Sequence, residues 1–180
     1  SNMTKFISIL GFLLVVTSLT FAQKKCKLEK NEIDPMSEQK YLLSKNLATS
    51  VSKDYWEGTY FLSTSIEFSN NEFLVLPKLK LPGILPDNRI NNCKIEVKLE
   101  NGQLISVSTE ELFNSEFKAG SVSTINFKFQ FSRNEIESLS KSEIKAIKLY
   151  YNTFDVTFPI AKKRAKKFNQ QISCILLESM

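Results

Sequence analysis

The chain contains no histidine, and in 180 residues it has only five glycines, three cysteines and one tryptophan. Without histidine there is no Ser-His-Asp triad, no Cys-His dyad and no histidine-ligated zinc. Three scattered cysteines cannot complete a four-cysteine zinc site. Five dispersed glycines build neither a phosphate-cradling loop nor a dinucleotide fingerprint. There is no Gly-x-Ser-x-Gly elbow and no Asp-rich EF-hand calcium loop. These absences remove most catalytic classes, and no cofactor or metal is expected. Carboxylates remain, and glycoside hydrolysis needs only two of them at a suitable separation. The pairs to consider are Glu32 with Asp34, which an extended strand would place on one side, and Asp54 with Glu57. The plain alternative is that these acids are ordinary solvated residues.

Charge is in mild excess: 24 basic against 19 acidic residues, a formal net charge of +5. That balance lacks the concentrated basic stripe of a nucleic-acid binder and does not argue for one. The chain length suits one domain with a sizeable core.

The beginning of the chain reads as a targeting segment. Ser1-Asn2 resembles a tag remnant before Met3. Lys5, the apolar run Phe6 to Val16 and the small residues up to Ala22 have the order of a secretory signal peptide. Cleavage is expected after Ala22, giving residues 1–22 as tag remnant plus signal and 23–180 as one β-rich domain. Phe6 to Ala22 is short for a span of about 20 residues, so no transmembrane span is expected in the mature chain. Loss of Lys5 would lower the formal charge from +5 to +4. The expected location is exported: periplasmic, secreted or at the cell surface. Export exposes Cys26, Cys93 and Cys174 to an oxidising compartment, where an odd number allows at most one internal bridge. Cys93 falls in phase with Ile95 and Val97 and reads as a buried free thiol. Cys26 and Cys174 lie near the two ends and are expected to pair, with three free thiols as the alternative.

The body of the chain alternates. Cys93, Ile95, Val97 and Leu99 fall on one face and Lys94, Glu96, Lys98 and Glu100 on the other, as a half-buried strand requires. Asn101-Gly102 then predicts a type I′ hairpin turn into the next strand. Tyr60, Leu62, Thr64, Ile66 and Phe68 form one dry face, followed by an Asn70-Asn71 turn and a strand from Glu72 to Leu81. Pro77 inside that strand predicts an edge position or a bulge. Leu81 to Asn88, with two prolines, reads as a loop. Ser121 to Ser132 reads as a single strand with Ile125, Phe127, Phe129 and Phe131 inward. Ile144 to Tyr151 and Phe154 to Ile160 read as a second hairpin turning at Asn152-Thr153. Met36 to Tyr55 reads as strand in preference to helix. Ser108-x-x-Glu111 and Ser132-x-x-Glu135 are capping boxes; the first would fold Leu112, Phe113 and Phe117 onto the core, and the second opens a short helix through Leu139. Residues 161–177 carry Ala161, Ala165, Phe168, Ile172, Ile175 and Leu176 on one helical stripe. The expected fold is mainly β, an antiparallel sandwich or partly open barrel of about eight or nine strands, with a short helix and a C-terminal amphipathic helix.

Two surface features invite a functional reading. Tyr55 and Trp56, with Tyr60, could stack on sugar rings or hold a partner protein; alternatively the tryptophan plugs the core. Lys162, Lys163, Arg164, Lys166 and Lys167 could bind anionic lipid, polysaccharide or nucleic acid; alternatively they are a solvated helix face. Cations at a helix start oppose the macrodipole, so another reason for them is sought.

Cys26 followed by Lys30-Asn31-Glu32-Ile33-Asp34, and a β-rich body ending in Ile172-Ser173-Cys174-Ile175, resembles a group of small exported uncharacterised proteins of Bacteroidetes-type bacteria. The resemblance implies an exported β-fold and carries no catalytic residue across. The function expected from all of this is a non-catalytic binding or interaction module of the cell envelope, with an envelope protein or a glycan as partner. Two other readings stand beside it: a binder of a small apolar ligand, suggested by 14 phenylalanines, and a carboxylate-only glycoside hydrolase.

Overall fold

A computed structural model describes residues 26–54, 58–82, 92–109, 115–118, 122–151 and 154–180. The signal-like segment, Tyr55 to Glu57, the proline loop after Pro82, Glu111 to Phe113 and the Asn152-Thr153 turn lie outside these residues; Ser108 of the first capping box falls within a strand and not at a helix start, and Phe117 lies on another strand.

The larger sheet grows on one long hairpin, β4 (Gly58–Ser69) and β5 (Glu72–Pro82). They pair antiparallel from Phe61↔Lys80 to Ser69↔Glu72. The turn has two residues, Asn70 and Asn71, with φ of 52° and 62°. Two left-handed residues define a type I′ turn, whose twist matches that of the strands, and asparagine tolerates that conformation. Along the free edge of β4 lie two strands end to end. β3 (Leu47–Asp54) pairs with its first half, and β2 (Lys40–Leu43) pairs at Glu67 and Phe68, carrying β1 (Lys30–Ile33) outside it. Residues 40–43 and 47–54 of the segment read as strand are thus extended, while Met36 and Ser37 belong to the turn before them.

The opposite edge of β5 is divided in the same way. β10 (Phe129–Phe131) pairs with Phe73–Val75, while β9 (Val122–Asn126) pairs with Lys78–Pro82 and carries β8 (Ser115–Lys118). The predicted single strand 121–132 is therefore two strands. The step between them faces Pro77, whose carbonyl accepts the Phe127 N–H at 2.8 Å. A residue's N and C=O point to the same edge of a strand. The donor that proline lacks would therefore face this step, where the ladder is already interrupted. β5 is an interior strand, not an edge; the proline is accommodated by an irregularity in its neighbour. The side-chain alternation survives the break, because Ile125, Phe127, Phe129 and Phe131 are all buried.

The second sheet has the order β12-β11-β6-β7, with β6 Cys93–Leu99, β7 Leu104–Thr109, β11 Ile144–Tyr151 and β12 Phe154–Pro159. Its β6–β7 turn differs from the predicted type I′. Gly102 has φ 88°, but Asn101 is not left-handed. Gly102 N–H donates to the Leu99 carbonyl at 3.1 Å, and Leu99 N–H donates to the Gln103 carbonyl at 2.9 Å. This is a three-residue loop, a type I turn closed by a left-handed glycine. The reason is register. With three loop residues Val97 faces Ile105 and Ile95 faces Val107; a two-residue turn would have set Ser106 and Ser108 against them. A one-residue slip moves a whole strand to the wrong face, so burial of Ile105 outweighs the local Asn-Gly preference. Leu104 is left exposed as a result.

The two sheets pack face to face around one continuous cluster of buried side chains, with Phe127, Phe129 and Phe158 among the largest. Each such phenylalanine contributes about 1.5–3 kcal/mol. At one side β3 approaches β12, and the Ser50 hydroxyl donates to the Pro159 carbonyl at 2.5 Å; at the other β10 approaches β7. The sheets do not close into one barrel.

Between β10 and β11 lies helix α1 (Arg133–Lys141). Its capping box forms as predicted: Ser132 accepts from Glu135 N–H and Glu135 accepts from Ser132 N–H. Helix α2 (Lys162–Glu178) buries Ala165, Phe168, Ile172 and Ile175 against β2, β3, β4, β11 and α1. Ala161 precedes it as an exposed N-cap without a side-chain hydrogen bond, so the predicted stripe begins at Ala165. Cys26 and Cys174 are bridged, with Cα atoms 5.4 Å apart, which ties the segment before β1 to the last turns of α2.

Two outcomes are expected. The bridge spans 148 residues of sequence, so replacing both cysteines by serine should lower stability by about 2–5 kcal/mol, read by denaturant unfolding. Alkylation of the unfolded, unreduced protein should label Cys93 alone. At Gly102 a Cβ would meet nothing within 4 Å, so Gly102→Ala should cost only the left-handed backbone term, about 1–2 kcal/mol, and Gly102→Asn should cost less.

Candidate functional site

The structure disperses the aromatic group. Tyr60 points inward from β4 and is 4% exposed. It is a core residue, contrary to the expectation of a partner surface, because its place in the β4 alternation puts it in phase with Leu62 and Ile66. Tyr55 and Trp56 lie outside the described residues.

The acid pairs fare similarly. Glu32 is on β1, which ends at Ile33, and Asp34 follows it at the start of the β1–β2 turn, its N–H donating to the Gln39 carbonyl at 2.9 Å. Asp34 accepts from the Ser37 hydroxyl at 2.6 Å and from Met36 N–H at 2.9 Å. Those hydrogen bonds, the serine first, hold its carboxyl below the usual range. Its carboxylate is taken up in shaping the β1–β2 turn. Asp54 ends β3, and Glu57 lies outside the described residues. Among the described residues no group of three or more acids or cysteines comes together as a metal site would require. Cys93 is buried and unbridged, and desolvation pushes its thiol up to about 11, which leaves it unreactive at neutral pH.

The basic run is brought together. Lys162, Lys163, Arg164, Lys166 and Lys167 are all exposed on the first two turns of α2. None of them forms an ion pair among the described residues. No acid lies in the first turn, so their charge adds to the positive end of the helix dipole instead of offsetting it. The chain leading into the helix is fixed at Lys145, the extra residue where β11 slips against β6, whose carbonyl accepts Ile160 N–H at 2.9 Å. Helical spacing carries the outward line from Lys163 and Lys166 on to Gln170, Ser173 and Leu177, all exposed. The inner face of the same helix is consumed by the core, so the cations are held on a fixed support.

The outer face of the smaller sheet makes a contrast. Tyr150 lies between two ammonium groups, Lys94 at 4.2 Å and Lys148 at 4.6 Å from its ring centre, and donates its hydroxyl to Glu96 at 2.8 Å. Lys94 pairs with Glu96 at 2.7 Å and Lys148 with Asp155 at 2.8 Å. These four charges are paired, and the ladder ties β6, β11 and β12 together across the strands. Alternation revealed Lys94 and Glu96 as a wet face, but not that Tyr150 lies opposite, since that depends on the β6–β11 register.

A cleft of about 340 Å³ opens where the β4–β5 turn, the β10–α1 junction and Ser179 meet. Phe68 and Phe73 form its floor, with ring centres 4.8 Å apart, and Asn71, Glu72, Gln130 and Arg133 stand at its rim. Its parts come from three distant stretches, so no local pattern announced it.

No family model matches the chain, no curated protein matches it, and no solved structure matches it.

Lys94, and then Tyr150, hold the Glu96 carboxyl below its ordinary range by hydrogen bonding. A depressed carboxyl stabilises the fold above the unfolded value of about 4.3 and loses that effect as pH falls through the folded value. Glu96→Gln should therefore flatten the loss of stability between about pH 5 and pH 3, measured by urea unfolding at each pH.

Proposed function

We propose that the chain is an exported, non-catalytic binding module of the cell envelope that works through the basic face of α2. The observation that carries this reading is the group of five adjacent, exposed cations with no opposing charge among the described residues, on a helix anchored by its buried stripe and by the Cys26–Cys174 bridge. On the smaller sheet Lys94 and Lys148 are matched to acids, and exposed lysines elsewhere such as Lys45 and Lys98 are spaced apart and not gathered on one face. Uncompensated like charges repel one another, and an anionic partner relieves that repulsion. Export rests on the signal-like first 22 residues, and the bridge suits an oxidising compartment. The reading as a binder of an apolar ligand has less support, because Phe68, Phe73, Phe127, Phe129, Phe131, Phe158 and Phe168 fill the core.

Retention on immobilised heparin tests it. A Lys163→Glu/Lys166→Glu/Lys167→Glu variant should elute at much lower salt than a control in which Lys27, Lys45 and Lys98 are reversed. Both changes alter net charge equally, so equal elution of the two variants would show that net charge alone governs retention and would defeat the reading.

A further inference from the structure

We propose that the partner of α2 is a linear anionic polysaccharide lying along the outward line Lys163, Lys166, Gln170 and Ser173. This rests on the reading of α2 as the binding face and goes on to name what that face takes.

Three features select a chain over a membrane. First, an interfacial helix binds a bilayer by burying its apolar face in the lipid. The apolar face of α2 is already spent: Ala165, Phe168, Ile172 and Ile175 are all buried in the core. The disulfide at Cys174 and the contacts with four strands prevent the helix from rolling over.

Second, the charge along α2 is graded. The five cations occupy its first turns. The other end carries more acids than bases: Glu178 accepts from Asn31 and pairs with Lys40, and Glu29, Glu32, Asp34 and Glu38 are exposed together with Lys27 and Lys30 on and before the adjoining β1–β2 hairpin. From Lys167 to Glu178 the helix rises about 16 Å, about twice the screening distance of about 8 Å at physiological salt. The acids therefore do not mask the lysines. An anionic bilayer is an extended plane that would attract one end and repel the other. A chain can cross the basic turns and leave the molecule.

Third, the outward line continues beyond the cations into an amide and a hydroxyl. Gln170 and Ser173 are exposed, and a neutral donor and acceptor pair beyond a group of cations suits a polymer bearing both anionic and hydroxyl groups. A bare phosphate or sulfate would use only the lysines. From Lys163 to Ser173 the line extends about 15 Å, longer than a single anion can engage.

The test uses the protein with oligogalacturonates of increasing length, measured by calorimetry. Vesicles of phosphatidylglycerol and phosphatidylcholine in equal parts, and single-stranded DNA, are run in the same low-salt buffer. Affinity for the uronate should rise with chain length and then level off once the chain covers the line. Lys163→Glu/Lys166→Glu should reduce it at least about tenfold. Gln170→Ala/Ser173→Ala should weaken uronate binding severalfold and leave elution from a plain cation exchanger unchanged. Both pairs are exposed, and an unaltered circular dichroism spectrum confirms that the variants fold. Binding to vesicles or DNA as tight as to the longest uronate would overturn the polysaccharide assignment and leave the basic face as a binding site. Uronate affinity that is independent of length, or indifferent to Gln170 and Ser173, would also overturn it. Failure to bind any of the three would overturn both this assignment and the reading on which it rests.

Discussion

The pairing of β4 with β5 is the constraint on which the rest of the larger sheet depends. The ladder runs without a break from Phe61 to Ser69 on one strand and from Glu72 to Lys80 on the other. Each outer edge then carries two shorter strands in tandem, so four further strands take their register from this hairpin. Its tight turn needs two consecutive left-handed residues, and Asn70-Asn71 provides them. A looser connection would leave the register to be decided by weaker pairings such as β2 with β4, where only Leu42 and Leu43 engage.

Much of this arrangement is legible in the chain because its face patterns are strict. The inward sets of β4, β6 and β11, the second capping box and the stripe of α2 all follow from periodicities that backbone geometry imposes on any soluble sheet or helix. What stays hidden is set by partners. The Asn-Gly turn takes three residues instead of two because Ile105 must meet Val97. The 121–132 stretch breaks because Pro77, far away in sequence, interrupts the ladder beside it. The four-residue strands β1 and β8 carry too few residues to display a period at all. These are tertiary decisions, and a local pattern expresses only one side of each.

The surface divides along the same line. The cations of α2 are adjacent in sequence, so their concentration is visible before the fold is known, whereas their lack of counter-charges is a property of the folded molecule. Tyr60 fails as a surface residue for the reason that made its strand recognisable: the alternation that announces β4 also turns the ring inward. The Tyr150 ladder and the cleft beside Phe68 are assembled from strands that meet only in the sandwich, and neither has a signature in the linear chain.

The bridge between Cys26 and Cys174 also decides how a mechanical load would travel. The cross-link and the basic face share one helix, about two turns apart. If the segment before Cys26 were pulled while a partner held Lys163 and Lys166, the tension would pass through the sulfur–sulfur bond and along the hydrogen-bonded axis of α2. Neither sheet lies on that line. The sandwich would hang beside the strained path as a folded weight, and its strands would not be peeled apart by traction that a chain without the bridge would transmit first to β1.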